Sequence, residues 1–245
     1  MSSRWACAAV VLLLVFHPAV SRADIQIIDS PTASTLGHGE MRWEIGVANE
    51  GAVTTSLKVG AFERMYFGIS YGMENALGRG DWELNPHPGV QLHVLAWDEI
   101  GLPSIAFGFD SQGQGEYFTE EQRYERKSHG FYGAVTQNLL GERWNVLTGL
   151  TAGINYSMEG KRESFDLFAG VSSTFGRNFS LLLDYDFGLD DRSGIDSNYG
   201  YLDFGVQLEF GRGNHIRFLL RDLLGNYRGQ GQVSRELNFF YLFRL

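Results

Sequence analysis

The sequence predicts an all-β fold: a single transmembrane antiparallel up-and-down β-barrel of about twelve strands, following a cleaved signal peptide. Three observations predict it. Apolar and polar residues alternate with period two in about twelve segments, the pattern of strands with one apolar face. Glycine is frequent, with 31 residues, and proline is rare, with 5. Beyond residue 23 no stretch approaches the roughly 18 apolar residues of a membrane-crossing helix. Barrel strands need only one apolar face.

The first 23 residues have the features of a secretory signal peptide. Arg4 precedes an apolar run over 6–16, and Val20–Ala23 is a small-residue cleavage site. Cleavage after Ala23 removes Cys7 and two arginines, leaving 222 residues with 18 basic and 29 acidic side chains, a net charge of −11. This length fits one domain, the absence of cysteine excludes a disulfide framework, and the acidic balance argues against a nucleic-acid partner.

The remaining chain divides into two parts. Residues 24–39 are expected to form a short periplasmic segment, either a lead into the barrel or a partial plug. Residues 40–245 are expected to form the barrel. The predicted strands are 40–48, 54–62, 65–73, 90–97, 104–111, 130–138, 144–156, 164–175, 179–188, 201–210, 215–224 and 235–245.

The connections between these strands alternate between short and long. Barrels inserted from the periplasm have short periplasmic turns and longer outer loops. An even number of strands then places both termini on the periplasmic side. The sequence therefore predicts the outer membrane of a Gram-negative bacterium, with its lipid and lipopolysaccharide as surroundings.

The last eleven residues alternate without a break. One face would carry the following residues: Leu237, Phe239, Tyr241, Phe243 and Leu245. This terminal strand resembles the C-terminal assembly signal of bacterial outer-membrane barrels, which implies the barrel-assembly machinery as a partner. We expect the strand to close the barrel against 41–47, with Arg244 beside Arg42.

A secreted, soluble all-β protein is the competing interpretation. In that case the apolar faces would form a core and the polar faces the exterior. A soluble closed barrel of twelve strands has a lumen too wide for side chains to fill. A sandwich needs protected edges, and these strands carry few proline or lysine residues that would protect them.

Charges on the polar faces of the strands are expected to line the lumen as two walls. The acidic wall comprises Asp110, Asp166, Asp184, Asp186 and Asp203. The basic wall comprises Arg42, Lys58, Arg217, Arg221 and Arg244. The walls either set up a transverse field that filters a polar solute, or pair with each other and fill a narrow lumen. Asp110 is also expected to accept backbone N–H bonds from the turn that follows it.

The sequence predicts no enzymatic site, no metal site and no cofactor. Ser128 and His129 are the one adjacent serine–histidine pair, and neighbouring residues of a strand point to opposite faces. The polar segment 116–127 lies in the third long connection. It either folds into the lumen as a constriction or lies over the mouth of the barrel.

One stretch is more specific than the general pattern of a barrel. Residues 103–110, Pro-Ser-Ile-Ala-Phe-Gly-Phe-Asp, continue into Gln-Gly-Gln-Gly at 112–115 and follow Asn-Pro-His-Pro-Gly-Val at 85–90. This stretch resembles the corresponding segment of the YjbH-like outer-membrane proteins, over about residues 50–185. The resemblance implies a role connected with exopolysaccharide, which becomes a possible partner.

The function expected from the sequence is therefore non-enzymatic. The leading hypothesis is a porin-like channel or a cell-envelope component, linked to export or surface assembly of exopolysaccharide. The alternative is a structural or adhesion barrel without an open pore. A lipid-modifying outer-membrane enzyme is a third hypothesis.

Overall fold

A computed structural model describes residues 24–78, 81–141, 146–160, 164–176, 178–191, 200–226 and 233–245. The predicted signal peptide, 1–23, lies outside the described residues. The described chain forms one short 3₁₀ turn, Asn49–Gly51, and fifteen strands. The strands are β1 Glu40–Val47, β2 Val53–Ala61, β3 Met65–Glu74, β4 Glu83–Leu84, β5 Gly89–Trp97, β6 Ser104–Asp110, β7 Gln114–Phe118, β8 Arg123–Arg126, β9 Gly130–Gly141, β10 Val146–Tyr156, β11 Phe165–Phe175, β12 Phe179–Asp186, β13 Tyr201–Phe210, β14 Asn214–Arg221 and β15 Ser234–Arg244.

Twelve of these strands form a closed antiparallel barrel in which chain neighbours lie side by side. The other three strands belong to loops. Strand β4 pairs with the end of β3 inside the β3–β5 loop, and β7 pairs with β8 in a separate hairpin. Each predicted strand overlaps one barrel strand, so the predicted fold class is confirmed. No helix in the described ranges is long and apolar enough to cross a membrane.

The barrel closes where its first and last strands meet. Met41 lies opposite Phe243 and Val47 lies opposite Leu237, the seam expected from the sequence. Arg244 differs from the expectation: it lies opposite Glu40 rather than beside Arg42. The lumen wall at this end of β15 therefore lacks the expected second arginine.

The distribution of burial is the reverse of that in a soluble protein. Outward-facing Ile69 and Leu183 are 56% and 44% exposed, whereas inward-facing Lys58 is 2% exposed. Apolar side chains cover the outside of the barrel because each strand alternates its faces, and the charged face encloses the lumen. The soluble alternative, with an apolar interior and a polar exterior, is contradicted by this arrangement.

The two ends of the barrel differ. Connections 62–64, 98–103, 176–178 and 211–213 form a short-turn end. At that end Gly213 has a φ of +79°, and a Cβ on it would lie 2.3 Å from the carbonyl oxygen of Leu242. Glycine is therefore required in this turn. Longer connections, including 111–129 and the β12–β13 connection, of which 187–191 and 200 are described, form the opposite, long-loop end.

Candidate functional site

Residues 24–36 lie inside the barrel; we call this segment the plug. Its first part folds back as a hairpin, since the N–H of Ile27 donates to the oxygen of Ser30 (3.0 Å) and that of Thr32 to the oxygen of Ile25 (3.1 Å). Asp29, Ser30 and Pro31 are residues that favour turns. The sequence left two alternatives for 24–39, a lead into the barrel or a partial plug. The position of residues 24–36 inside the barrel corresponds to a plug.

The tip of the plug surrounds the carboxylate of Asp184 on β12. The backbone N–H groups of Ile28, Asp29 and Ser30 donate to Oδ2 over 3.2, 2.8 and 2.8 Å. The hydroxyl of Ser30 donates to Oδ1. Asp184 is fully buried. Four donors satisfy a charge that would otherwise be costly to bury, so this side of the lumen holds the plug through backbone groups.

The opposite side of the lumen holds the plug through its two carboxylates. Asp24 lies 3.1 Å from Arg217 and 3.8 Å from Arg42. Asp29 pairs with Arg221 of β14 and lies 2.9 Å from Arg126. The plug therefore presents hydrogen-bond donors to the acidic wall and negative charge to the basic wall.

The third long connection reaches the lumen through a side chain, while Arg123 and Tyr124 of the same connection bond to Asp191 and Glu159 of other long loops. Its β7–β8 hairpin carries Arg126, whose side chain is 3% exposed. The guanidinium lies 2.7 Å from Asp203 and 3.1 Å from Asp186, in addition to its contact with Asp29. Arg126 therefore ties the loop, the plug and two wall strands together.

Apolar side chains of the plug pack against small or apolar positions of the wall. Ile27 and Ile28 form a buried cluster with Leu182 and Leu219. A Cβ on Gly170 would lie 2.6 Å from Cδ1 of Ile27. The wall is thus shaped to the plug, and filling such a contact would force side chains apart.

Above the plug, towards the long-loop end, lies a cavity of about 810 Å³. Gln26, Ile28 and Asp29 of the plug contribute to its lining, and polar residues supply most of the remainder. The wall residues that line it include Lys58, Gln91, Asp110, Arg221, Glu236 and Asn238. Hydroxyl, amide and charged groups make this a space for water and polar solutes.

The predicted acidic residues do not all serve the same purpose. Asp166 accepts the N–H groups of Leu167 (2.7 Å) and Leu189 (2.9 Å), so it anchors a long loop. Asp110 accepts the N–H of Gln112 at 2.9 Å, which confirms its expected role in the turn. Asp186 and Asp203 pair with Arg126 of the loop, not primarily with the basic wall.

Four of the five predicted basic residues are buried in the lumen, and Arg244 is exposed at the short-turn end. The guanidinium of Arg42 stacks on the ring of Phe240 at 3.8 Å and lies 3.0 Å from Glu44. Lys58 donates to the side-chain oxygen of Gln26 in the plug. The basic residues that reach the lumen therefore surround the plug.

Two buried carboxyl groups in the long loops have raised pKa values. Burial raises the pKa of Asp190 to about 6, and the nearby charge of Lys127 opposes that shift. Burial also raises the pKa of Glu159, which accepts the N–H groups of Tyr124 (2.9 Å) and Ser128 (3.1 Å). The packing of these loops therefore depends on pH.

The plug residues Asp24, Asp29 and Ser30, and the loop residue Arg126, were not predicted as lumen residues. One signal in the sequence points to them. Leu182 and Leu219 occupy inward positions among polar neighbours, and an apolar side chain in a polar lumen requires an apolar partner there. The apolar residues at 25–28 supply that partner.

Comparisons with known proteins identify the fold. The chain is similar to the NanC porin, with a TM-score of 0.50 and 13% identity over 84% of this chain and 100% of that one. It is also similar to the KdgM porin, with a TM-score of 0.44 and 10% identity over 84% of this chain and 99% of that one. The likeness to the NanC porin shows a porin-like barrel fold. No family model and no curated protein matches it, so the YjbH-like resemblance rests on sequence alone.

Proposed function

We propose that this chain is a non-enzymatic channel of a Gram-negative outer membrane that passes a small polar solute. The observation that carries the proposal is the polar cavity of about 810 Å³, enclosed by a barrel whose outside is apolar. An apolar exterior suits lipid, and a polar interior suits water and dissolved solutes. The porin-like fold is consistent with this function.

The proposed orientation places the short-turn end and both termini in the periplasm, with the long loops outside. In this orientation the terminal strand, with outward-facing Leu237 and Phe243, is available to the barrel-assembly machinery. Outer-membrane lipid contacts the apolar belt, and lipopolysaccharide contacts its outer part.

A barrel without an open pore is the second candidate, and one observation favours it. The plug crosses the lumen below the cavity, with Ile27 fully buried and Asp29 8% exposed. In that case the cavity would be a closed vestibule, and the walls and plug would serve only to fill the interior.

Swelling of proteoliposomes in neutral sugars of increasing size tests the two candidates. Two proteins are compared: residues 24–245, which contain the plug, and residues 37–245, from which the plug has been deleted. A channel predicts that small sugars enter vesicles containing either protein, with a sharp size limit and faster entry for the shorter one. A barrel closed by its plug predicts entry with the shorter protein alone. If neither protein admits any sugar although both are folded, the channel function is wrong and the pore-less barrel stands. Release of acyl chains from labelled lipid is expected to be zero for both proteins.

A link to exopolysaccharide is the finer part of this proposal. It is supported by the resemblance at 103–110, which forms β6 and ends at Asp110 on the cavity. Amide groups such as those of Gln91 and Asn238 in the lining suit sugar hydroxyls. Deletion of the gene is expected to lower exported polysaccharide. If the deletion strain loses solute uptake but exports an unchanged amount of polysaccharide, the protein is a general channel without a link to polysaccharide.

A further inference from the structure

We infer that the plug is a gate: residues 24–36 withdraw from the lumen as a unit through the short-turn end, and Asp184 is the latch that keeps them in place. The inference rests on the proposed channel function, because a gate is meaningful only in a barrel that conducts. Its support comes from how the plug is bonded, where it is hinged, and what the walls retain without it.

The plug is held by side chains of the wall and not by strand pairing. Its described backbone-to-backbone bonds lie within the plug, such as Thr32 to Ile25. Its bonds to the wall run to side chains, as in the N–H of Ala33 donating to Oγ1 of Thr136 over 2.8 Å. Withdrawal therefore breaks no ladder bond of the barrel, and the sheet remains closed.

The chain leaves the lumen at a short segment that suits a hinge. Gly37 and Gly39 flank His38, and Gly39 has a φ of +73°. From Gly39 onward the chain is fixed, since the N–H of Gly39 donates to the carbonyl of Gly60 and its own carbonyl accepts from the N–H of Leu245, each over 3.1 Å. Rotation at Gly37 and His38 moves the plug without moving β1, since glycine adopts backbone angles that other residues avoid. This rotation breaks the bond from the N–H of Gly37 to the carboxylate of Glu40 (2.8 Å).

Most wall charges keep a partner when the plug leaves. Arg126 retains Asp186 and Asp203, and Arg221 retains Glu236. Arg42 likewise retains Glu44. Removing the plug therefore leaves these buried cations paired, which keeps the cost of withdrawal low compared with unpairing a buried charge.

Asp184 loses every hydrogen bond described for its carboxylate, since all of them come from the plug: the N–H groups of Ile28, Asp29 and Ser30 and the hydroxyl of Ser30. Water entering from the adjoining cavity must replace all of them at once when the plug withdraws. Two wall cations also lose a plug contact: Arg217 loses its ion pair with Asp24 but keeps its bond to Gln207, and Lys58 loses its bond to Gln26. Asp184 therefore contributes four hydrogen bonds that favour the closed state.

Single-channel recording in planar bilayers tests the gate. Residues 24–245 contain no native cysteine, so Ala33→Cys with Thr136→Cys places two thiols at a contact between plug and wall. Oxidation, or a short thiol-specific crosslinker, is expected to abolish openings, and reduction is expected to restore them. Asp184→Ala is expected to raise the open probability by about tenfold or more, the loss of one charged hydrogen bond.

Ser180→Ala is the matched control. Ser180 is a buried, inward-facing residue of β12 whose hydroxyl bonds to that of Thr174 at 2.9 Å. Its replacement by alanine is expected to leave the open probability unchanged, because Ser180 makes no described bond to the plug. If Asp184→Ala does not assemble, Ser30→Ala removes the hydroxyl donor of the latch and leaves the wall intact. The protein lacking the plug serves as the reference for a fully open channel.

The outcomes separate the gate from the channel. If the parent and the protein lacking the plug both conduct, but crosslinking changes nothing and both latch variants match the parent, the gate is wrong and the channel stands. If the crosslinked and reduced proteins are both closed while plug deletion conducts, the plug is permanent and the gate is again wrong. If no variant conducts, the channel function itself fails.

Discussion

The N–H of Ser30 donates to the carboxylate of Asp184 over 2.8 Å, and the hydroxyl of Ser30 donates to the other oxygen of the same carboxylate. These residues are 154 positions apart in the chain. The contact joins the N-terminal segment to the far wall of a barrel whose twelve strands lie around it. The sequence allows Asp184 to act in a selectivity filter, but its carboxylate binds backbone N–H groups of the same chain.

Replacement of Arg126 by methionine tests the ion-pair network. Arg126 contacts Asp29, Asp186 and Asp203, and its loss leaves the buried carboxylate of Asp186 without its described cation. Asp29 and Asp203 keep Arg221 as a partner. We expect the free energy of unfolding to fall by about 3–5 kcal/mol. Urea unfolding in lipid vesicles, followed by tryptophan fluorescence, measures it.

Arg244→Met is the control for that experiment. Arg244 was expected in the basic wall, but its side chain is exposed, so its replacement is expected to change stability by no more than about 0.5 kcal/mol. Equal losses for the two variants would contradict the network centred on Arg126.

Replacement of Gly170 by alanine tests the fit of the plug. The new methyl group would lie 2.6 Å from Cδ1 of Ile27, so overpacking is expected to cost about 1–3 kcal/mol. The midpoint of heat-modifiable migration on gels measures the loss. Gly133→Ala is the control, since its Cβ would meet only the ring of Phe107, at 3.4 Å.

The added methyl group at position 170 would also lie 2.8 Å from the carbonyl oxygen of Leu183. The same replacement in the protein lacking residues 24–36 separates this effect from contact with the plug. A destabilisation that is as large without the plug as with it would show that Ile27 is not the cause.

Replacement of Leu183 by arginine tests the membrane location. Leu183 lies on β12 between inward-facing Leu182 and Asp184, and it is 44% exposed on the apolar outside. An arginine near the middle of the bilayer is expected to cost about 2–4 kcal/mol. Folding yield into lipid vesicles measures the effect. Leu102→Arg in a short turn is expected to cost far less, and equal costs would argue against a bilayer around β12.

The loop packing around Asp190 is expected to weaken as the pH rises. The pKa of Asp190 is raised from 3.8 to about 6 by burial, so the packed state binds more protons than the unpacked state between these values. Stability is therefore highest below pH 4, falls between about pH 4 and 6, and stays low above pH 6. Hydrogen exchange of residues 123–128, corrected for intrinsic rates, measures it.

Asp190→Asn is expected to remove that dependence, because the amide does not titrate. At pH 7 the variant's loop should exchange more slowly than that of the parent. An unchanged slope between pH 4 and 6 in the variant would assign the dependence to another group, with Glu159 the next candidate because burial also raises its pKa.

The strands of the barrel could be predicted from the sequence because strand formation here depends on a local pattern. Each strand turns alternate side chains to the outside of the barrel, so Leu183 and Asp184 reveal their faces by position alone. The seam of β1 with β15 followed from the strand count. Both inferences require only the order of residues along the chain.

The plug and the partners of the wall charges could not be predicted in the same way. Asp184 bonds to Ser30, and Arg126 reaches Asp203 from a loop 77 residues away. Such contacts depend on how loops fold into the lumen, which no periodicity describes. The inward positions of Leu182 and Leu219 were the one local sign that something apolar lies inside.

Amide hydrogen exchange of residues 24–36 in the folded, lipid-reconstituted protein tests the central claim most directly. The account predicts that the amides of Ile28, Asp29 and Ser30 exchange much more slowly than in a free peptide, and that Asp184→Ala accelerates them. Exchange of these amides at the rate of a free peptide would contradict a plug held inside the barrel.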